Sequence, residues 1–497
     1  MTVLNFIVLI PILNAILIAL GAPGRKSAIL SAWAQLGLTL LAMFGYNVAK
    51  GGYQQQSVWN VAPEWDLKLY FGADGLTLVM LLLTALVTVA AVHCSPKMEK
   101  RENLFYSCVL LISAGAAGAF ASLDLFFFYA FHELALIPTF LLIGIWGFGE
   151  RQIAAWKITI YLAIGSIILL IGLSQLYLAE DVTKIAGGKR TFDMVLMLQS
   201  PGIIPAAAQP GIYIWMLVGF GILISLVPFH SWAPTAYASA PTPAAMLHAG
   251  VLKKFGLYGL IRLAIPLLPA GAAHWQNFLL VLLVANILYI GLVTIAQKRL
   301  DMMLGYSSVM HMGYAFLGIA AANAVGVTGA ALLMLAHGLS IAALFAMCGY
   351  LRENTPSLAF TSLGGLAKRA PFLGYAFGMA AFASIGLPGF ANFASELMVF
   401  FGAFGSGAVK GSLSFGPQQI ATICALWGVV ISAVYMLRAY RQMFQGEPAA
   451  NTEATVDPGC SVRWPVILLL GALLVGGIWP HSYLNYIQPS VEALVRK

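Results

Sequence analysis

Two carboxylates and an amine lie inside stretches that are otherwise apolar. Glu133 is the one acid of LFFFYAFHELALIPTFLLIGIW (125–146), Glu396 that of GLPGFANFASELMVFF (386–401), and Lys254 lies in HAGVLKKFGLYG (248–259). About 20 apolar residues in a helix cross a hydrocarbon core of about 30 Å. A carboxylate at that depth costs about 2.5–3.5 kcal/mol on insertion scales, and a chain that tolerates such a group usually employs it. Groups that gain and lose charge at accessible cost suit proton transfer. Two unit charges about 8 Å apart at an effective dielectric of about 20 interact by about 2 kcal/mol. A proton moved against the membrane potential costs about 2.3 kcal/mol per 100 mV. A change of charge on one buried group can therefore bias the protonation of the next. The competing reading of each group is structural: an interhelical ion pair for Glu133, a lysine tied to the carbonyls of a helix break for Lys254.

The elements that position these groups follow from composition. Of 497 residues, 60% are hydrophobic and 9% charged, against about 25% charged in a soluble domain. The class is an all-α polytopic membrane protein, one transmembrane domain over 1–497. MTVLNFIVLIPILNAILIAL lacks a basic lead and a cleavage site and reads as the first span. Hydropathy places about 14 spans, near 4–21, 28–47, 74–94, 104–122, 124–147, 153–178, 211–229, 241–263, 275–296, 300–322, 327–351, 372–402, 417–444 and 464–482. TFDMVLML, in the connection 179–210, reads as a short helix along the membrane.

The odd-numbered connections carry 14 Lys and Arg residues and the even-numbered ones seven, Arg262 and Lys410 among them. Arg496 and Lys497 end the chain. The positive-inside rule puts the odd connections in the cytoplasm and both termini outside, on the periplasmic side of a bacterial inner membrane. Lys157, Lys253 and Lys254 remain inside spans. Asp74, Asp124 and Asp301 fall at span ends, where water or headgroups can reach them. The five cysteines are scattered and form no CxxC, which supports neither an iron–sulfur cluster nor a structural zinc. No GxGxxG follows a strand and no P-loop occurs, so neither NADH nor flavin is expected on this chain.

Two spans are interrupted by proline, at ILISLVPFHSWAP (222–234) and ASIGLPGFANF (383–393). Proline removes a backbone donor and clashes with the preceding turn. Non-helical backbone at membrane depth is tolerated where it is buried in protein or lines a wet cavity. Paired breaks in the two halves of a chain point to repeats around a transport path.

FHELALIPTFLLIGIWG (131–147), VPFHSWAPTAYASAPTPAAMLHAGVLKKFGLYGLIRL (227–263), MLAHGLSIAALFAMCG (334–349) and GLPGFANFASELMVFFGAF (386–404) occur in that order. With them the chain resembles the antiporter-like membrane subunits of respiratory complex I, the proton-pumping NADH:quinone oxidoreductase, of the chain M or mitochondrial subunit 4 type. The resemblance implies 14 helices, with N-terminal helices in 4–94, inverted five-helix repeats in 104–263 and 275–444, broken helices 7 and 12, and a last helix and tail in 464–497. It implies proton translocation driven by quinone reduction in partner subunits, which would hold the NADH site, FMN, iron–sulfur clusters and quinone. Other membrane subunits would flank the chain on both sides.

By the same resemblance the proton path comprises Glu133, Lys254, His337 of AHGL, and Glu396, with Lys157, His230, His311 and Lys253 as further candidates. Histidine titrates near neutrality and suits a relay. Lys157, on the next span, is a candidate partner for Glu133; His132, beside Glu133 in sequence, is expected to point off its face. The family's second lysine, seven residues before His230, is replaced here by Leu223, and Lys253 is an extra lysine that could compensate. A second departure surrounds Asp301 in RLDMMLGYSS (299–308), where the family has a basic residue. A cation/proton antiporter subunit, or the membrane arm of a hydrogenase or inorganic-carbon uptake complex, would share the scaffold.

Overall fold

The computed structural model describes residues 2–98, 100–185, 187–406, 415–449, 452 and 455–495. Lys410, Arg496 and Lys497, used above to orient the chain, lie outside the described residues. The chain opens with α1 (Val3–Ala19) and α2 (Gly24–Phe44), followed by a hairpin of β1 (Gln54–Ala62) and β2 (Leu67–Ala73). Then come α3 (Gly75–His93), α4 (Glu102–Ala121), α5 (Leu125–Trp146), α6 (Arg151–Leu178) and the short α7 (Met194–Gln199). The first broken pair is α8 (Gln209–Ile224) and α9 (Trp232–Ser239). The next span, 242–267, is built from α10 (Thr242–Leu247), α11 (Lys254–Gly259) and α12 (Ile265–Leu267), joined by π-helical turns at His248–Leu252 and Leu260–Ala264. α13 (Pro269–Ala296), α14 (Leu300–Ala320), α15 (Ala324–Asn354) and the short α16 (Leu366–Arg369) follow. The second broken pair is α17 (Pro371–Ile385) and α18 (Ala391–Ser406), and α19 (Pro417–Phe444), α20 (Cys460–Ile478) and α21 (His481–Val495) complete the chain.

Among the described residues nine helices have the length and apolar character to cross a membrane. Three shorter apolar helices accompany them, and two of these, α8 and α17, are the first halves of the broken spans. The apolar stretches of α3 and α15 are enclosed, whereas those of α5, α6 and α19 are each less than half buried. The enclosed helices form the axis of the bundle and the others its rim. This explains why α3 and α15 are apolar all round: each face meets another helix.

Both breaks end in the left-handed region, at Ser225 (φ +70°) and at Gly386 (φ +82°). Glycine suits the second break for two reasons. Its φ is one that a side chain rarely adopts, and a Cβ there would collide with the carboxylate of Glu396. The long connection between the second and third spans holds the β1–β2 hairpin, with Val58 opposite Tyr70. TFDMVLML forms α7, capped by Asp193, which accepts from the Val195 and Leu196 amides.

The acids at span ends are not open to water, as the sequence reading had them. Asp74 is 4% exposed, and Asp124 and Asp301 are sealed. Each is consumed by structure. Asp74 caps α3 through the Thr77 amide, and Asp124 caps α5 through Phe126 and Phe127, satisfying amides that a helix start leaves unpaired. Asp301 takes Arg299 at 2.8 Å and Arg352 at 3.2 Å, so two cations stand where the resemblance asked for one.

Arg262 is likewise not a loop residue. It is 1% exposed, lies in the second π turn and binds both carboxylate oxygens of Asp74, while Nη2 also donates to Thr77 Oγ1 at 2.9 Å. Its stem counted as polar in the sequence, but its charge is neutralised within the bundle. That lowers the even-numbered basic count and strengthens the charge asymmetry between the two sides.

Two outcomes follow from this packing. Removing one member of a buried ion pair strands the other, at about 3–5 kcal/mol. Arg262→Met should lower the unfolding midpoint of the detergent-solubilised protein markedly, and Asp74→Asn in that background should recover part of the loss. Burial raises the Glu180 carboxyl to about 7, against one hydrogen bond from the Thr191 amide that lowers it. The folded loop thus holds a proton that the unfolded chain releases at its ordinary carboxyl range, and the loop loses stability as pH rises through about 7. Hydrogen exchange over residues 180–193, corrected for intrinsic rate, should speed up between pH 5.5 and 8, and Glu180→Gln should abolish the change.

Candidate functional site

The span 242–267 passes α15 at unusually short range because both carry glycine at the crossing. A Cβ at Gly338 would lie 2.6 Å from the Gly250 carbonyl oxygen, and one at Gly250 3.1 Å from that of Gly338. Small residues let helix backbones approach in this way. The approach brings Lys254 to His337, the neighbour of Gly338. Lys254 Nζ stands 3.0 Å from His337 Nδ1 and donates to the Ala249 carbonyl at 2.5 Å. Ala249 lies in the first π turn, whose wider winding directs its carbonyl toward the amine five residues on. Lys254 is fully buried and His337 2% exposed.

From His337 the line continues. The His311 ring lies 5.5 Å from it between centroids. His311 Nδ1 is 2.8 Å from the Ser307 carbonyl oxygen and Nε2 is 2.8 Å from that of Ser384. Both contacts are donor sites, so only the imidazolium satisfies both carbonyls, while a neutral ring leaves one unpaired. Ser384 belongs to the second break, two residues before Gly386. Glu396 packs against Gly386, is 4% exposed, and has no protein hydrogen bond on Oε1. The phenols of Tyr314 and Tyr435 are within electrostatic reach of Glu396. Tyr435 is bonded to Ser307 at 2.8 Å, and the Tyr314 hydroxyl has no protein partner. The broken pair α17–α18 therefore supplies a free carbonyl and a carboxylate to one end of a row that begins at Lys254.

The first half is built differently. Glu133 sits on the rim, its side chain 34% exposed. Lys157 is not its partner. The α6 residue beside Glu133 is Ser166, and nine residues at 1.5 Å per residue put Lys157 about 13 Å along the helix. Lys157 instead lines a cavity of about 600 Å³ with Phe148, Glu150, Arg299 and Arg352. The titratable side chain beside Glu133 is His132, Nδ1 to Oε1 3.5 Å. Neighbouring helix side chains normally diverge, which is why the sequence pointed His132 away. Its ring stacks on Phe255 at 4.0 Å and 17°, and that stack turns its Nδ1 edge back to the carboxylate.

Leu223, 3% exposed, packs toward Gly165 of α6. Lys253 is 1% exposed, 3.4 Å from Ser308 Oγ and above the Tyr237 ring at 5.7 Å. His230 stands apart from Lys254, edge-on to Tyr289 at 6.3 Å, with Nδ1 unpaired by protein. The structure thus gathers Lys254, His337 and His311, places Lys253 beside them and Glu396 against the break that bears Ser384, and sets His230 within electrostatic reach of both Lys253 and Lys157. Sequence reasoning missed Tyr314, Tyr435, Ser307 and the Ser384 carbonyl. Backbone acceptors and aromatic hydroxyls carry no signal in a one-dimensional pattern.

The transmembrane family described as NADH:quinone oxidoreductase/Mrp antiporter matches residues 122–416. NAD(P)H-quinone oxidoreductase chain 4 2 of Thermosynechococcus vestitus is 33% identical over 99% of this chain and 92% of that one. NADH-quinone oxidoreductase subunit M of Rickettsia prowazekii is 32% identical over 92% and 90%. A chain of respiratory complex I from Thermus thermophilus superposes with a TM-score of 0.89 at 28% identity, covering 99% of both. The fold recurs in the Mrp complex from Dietzia, with a TM-score of 0.83 at 22% identity over 99% and 97%. The chain belongs to the NADH:quinone oxidoreductase/Mrp antiporter transmembrane family.

Proposed function

We propose that the chain is a proton-translocating membrane-arm subunit of an NADH:quinone oxidoreductase and holds no redox group of its own. Its five cysteines are scattered and form no CxxC, and the electrons travel in partner subunits. The relatives at about one-third identity over nearly the whole chain bear quinone oxidoreductase names. Likeness to the Mrp complex is one of fold. This difference favours the quinone-linked reading over the antiporter. Neighbouring membrane subunits cover the rim that carries Glu133, Ile137 and Trp156, the last two 71% and 60% exposed. The excess of Lys and Arg in the odd-numbered connections supports both termini on the periplasmic side.

The single observation that carries the reading is the Lys254–His337 contact at 3.0 Å. As an ammonium, Lys254 donates to the Ala249 carbonyl and to His337 Nδ1. Transfer of that proton to Nδ1 leaves a neutral amine that still donates to Ala249 and an imidazolium at His337. His311 then takes the proton on a nitrogen turned from its carbonyl toward His337, and as an imidazolium swings back to donate to the Ser307 and Ser384 carbonyls. Glu396, beside the break, accepts the proton and exchanges it with the far side. A charge placed at the Glu133 end biases the first of these steps electrostatically, by the magnitudes worked out above.

The test uses the assembled complex in proteoliposomes, with quinone reduction and acidification measured together. Replacing a relay group that makes a charge-assisted hydrogen bond removes about 1.5–3 kcal/mol, which corresponds to about ten- to a hundredfold in rate. Glu396→Gln and Lys254→Met should each depress protons moved per quinone reduced in assembled complex. Unchanged pumping in both variants contradicts the path.

A further inference from the structure

The cavity of about 600 Å³ that Lys157 lines lies outside the row of relay groups, and its charges are not closed from within. Glu150, Arg299 and Arg352 stand in its wall at odd-numbered connections, on the side that the positive-inside rule puts in the cytoplasm. Arg299 gives Nε and Nη2 to Asp301, which leaves Nη1 without a bond among the described residues, and its side chain is 57% exposed. Arg352 donates through its two Nη groups to the Ala238 and Ala240 carbonyls and to Asp301, above the Phe148 ring. Lys157, less than two turns into α6, makes no hydrogen bond or ion pair among the described residues. Three cations thus face two acids. One of these, Asp301, is already bound by both arginines, and the other, Glu150, is exposed at the mouth.

A second cavity, of about 530 Å³, runs on from the first, since Ile153 and Lys157 line both. Its walls are apolar apart from Gln152, Lys157 and the Tyr161 hydroxyl, and all belong to α6. Exposed Ile153, Trp156, Ile160, Ile164 and Ile167 follow one another at steps of three or four and so form one stripe down this helix. From Ile153 to Ile167 the stripe runs about 21 Å at 1.5 Å per residue. One leaflet, half of a core of about 30 Å, is about 15 Å deep. Lys157 is four residues from Ile153 and three from Ile160, on the same face, where its stem covers apolar surface while the amine reaches the polar cavity.

We propose that the chain binds an anionic phospholipid of the cytoplasmic leaflet, with its phosphate in the cavity that Lys157 and Arg299 share and an acyl chain along the Ile153–Ile167 stripe. This inference goes beyond the proton-path reading and does not depend on it. A phosphate diester accepts hydrogen bonds from ammonium and guanidinium, and basic pockets between helices on the cytoplasmic side take such headgroups. Charge and shape together select the occupant. A free phosphate leaves the stripe uncovered, and a zwitterionic lipid does not offset the surplus cation. A neighbouring subunit packing on this rim meets the acyl chain, and the lipid sits in the seam between the two.

Photolabelling of the assembled complex in phosphatidylcholine vesicles provides the test. Phosphatidylglycerol with a diazirine on its acyl chain is the probe, and labelled peptides are mapped by mass spectrometry. The label should fall on residues 152–167, drop there several-fold in Lys157→Gln and persist in Lys157→Arg, which keeps the charge. The rim helix α19 is the reference, and its labelling should not change in either variant. The same diazirine on phosphatidylcholine or phosphatidylethanolamine should label α6 several-fold less. Equal labelling by the zwitterionic lipids overturns the proposal, as does labelling that Lys157→Gln leaves intact or lowers equally on α19. Displacement by inorganic phosphate would show a free-anion site instead, and no label on α6 would show that a subunit alone covers the stripe; either result overturns the lipid site.

Discussion

A primary amine sealed inside the bundle is the constraint from which the rest of the structure follows. Lys254 is fully buried and makes two protein contacts, to a carbonyl and to an imidazole. In hydrocarbon an ammonium without partners would be prohibitive, so the surrounding helices are arranged to supply them. The π turn at His248–Leu252 turns a carbonyl toward the amine. The Gly250–Gly338 crossing brings in the imidazole. Enclosure by α3 and α15 keeps lipid away. Each device satisfies the amine without holding its charge permanently, since neither contact is a carboxylate. A carboxylate partner would have made an ion pair of the Asp74–Arg262 kind, which fixes charge in place.

That contrast separates the two kinds of buried charge. Asp74 with Arg262, and Asp301 with its two arginines, are closed pairs that stitch helices together. Lys254, His337, His311 and Glu396 face neutral acceptors or one another. Glu396 has an oxygen with no protein partner, and His311 has two acceptors for one neutral proton. Groups left in this state can change protonation without breaking a structural bond, which suits a relay. The second half reaches it through a broken helix that exposes the Ser384 carbonyl.

The sequence was legible where hydropathy and proline speak. Span limits agree with the helices to within a few residues, and both breaks fall at the prolines and glycines that marked them. Lys254 and Glu396 stood out because charge inside apolar runs is conspicuous. Three things were not legible. The direction of His132 depends on a stack with Phe255 more than 120 residues away, which no local periodicity encodes. Arg262 read as a loop cation because its partner, Asp74, lies far off in sequence. The hairpin at 54–73 lacks strong alternation, since only its second strand meets the bundle with buried residues. For His132 and Arg262 a long-range contact, absent from any window of sequence, decided the outcome.

Infrared difference spectroscopy on the assembled complex during turnover tests the central claim most directly, because it reads protonation of a buried carboxyl. The account predicts a carboxyl C=O stretch that changes on addition of NADH and quinone, shifts in deuterated water, and vanishes in Glu396→Gln. An identical difference spectrum in wild type and Glu396→Gln would show that Glu396 does not exchange a proton in turnover, and the row that begins at Lys254 would have no terminus.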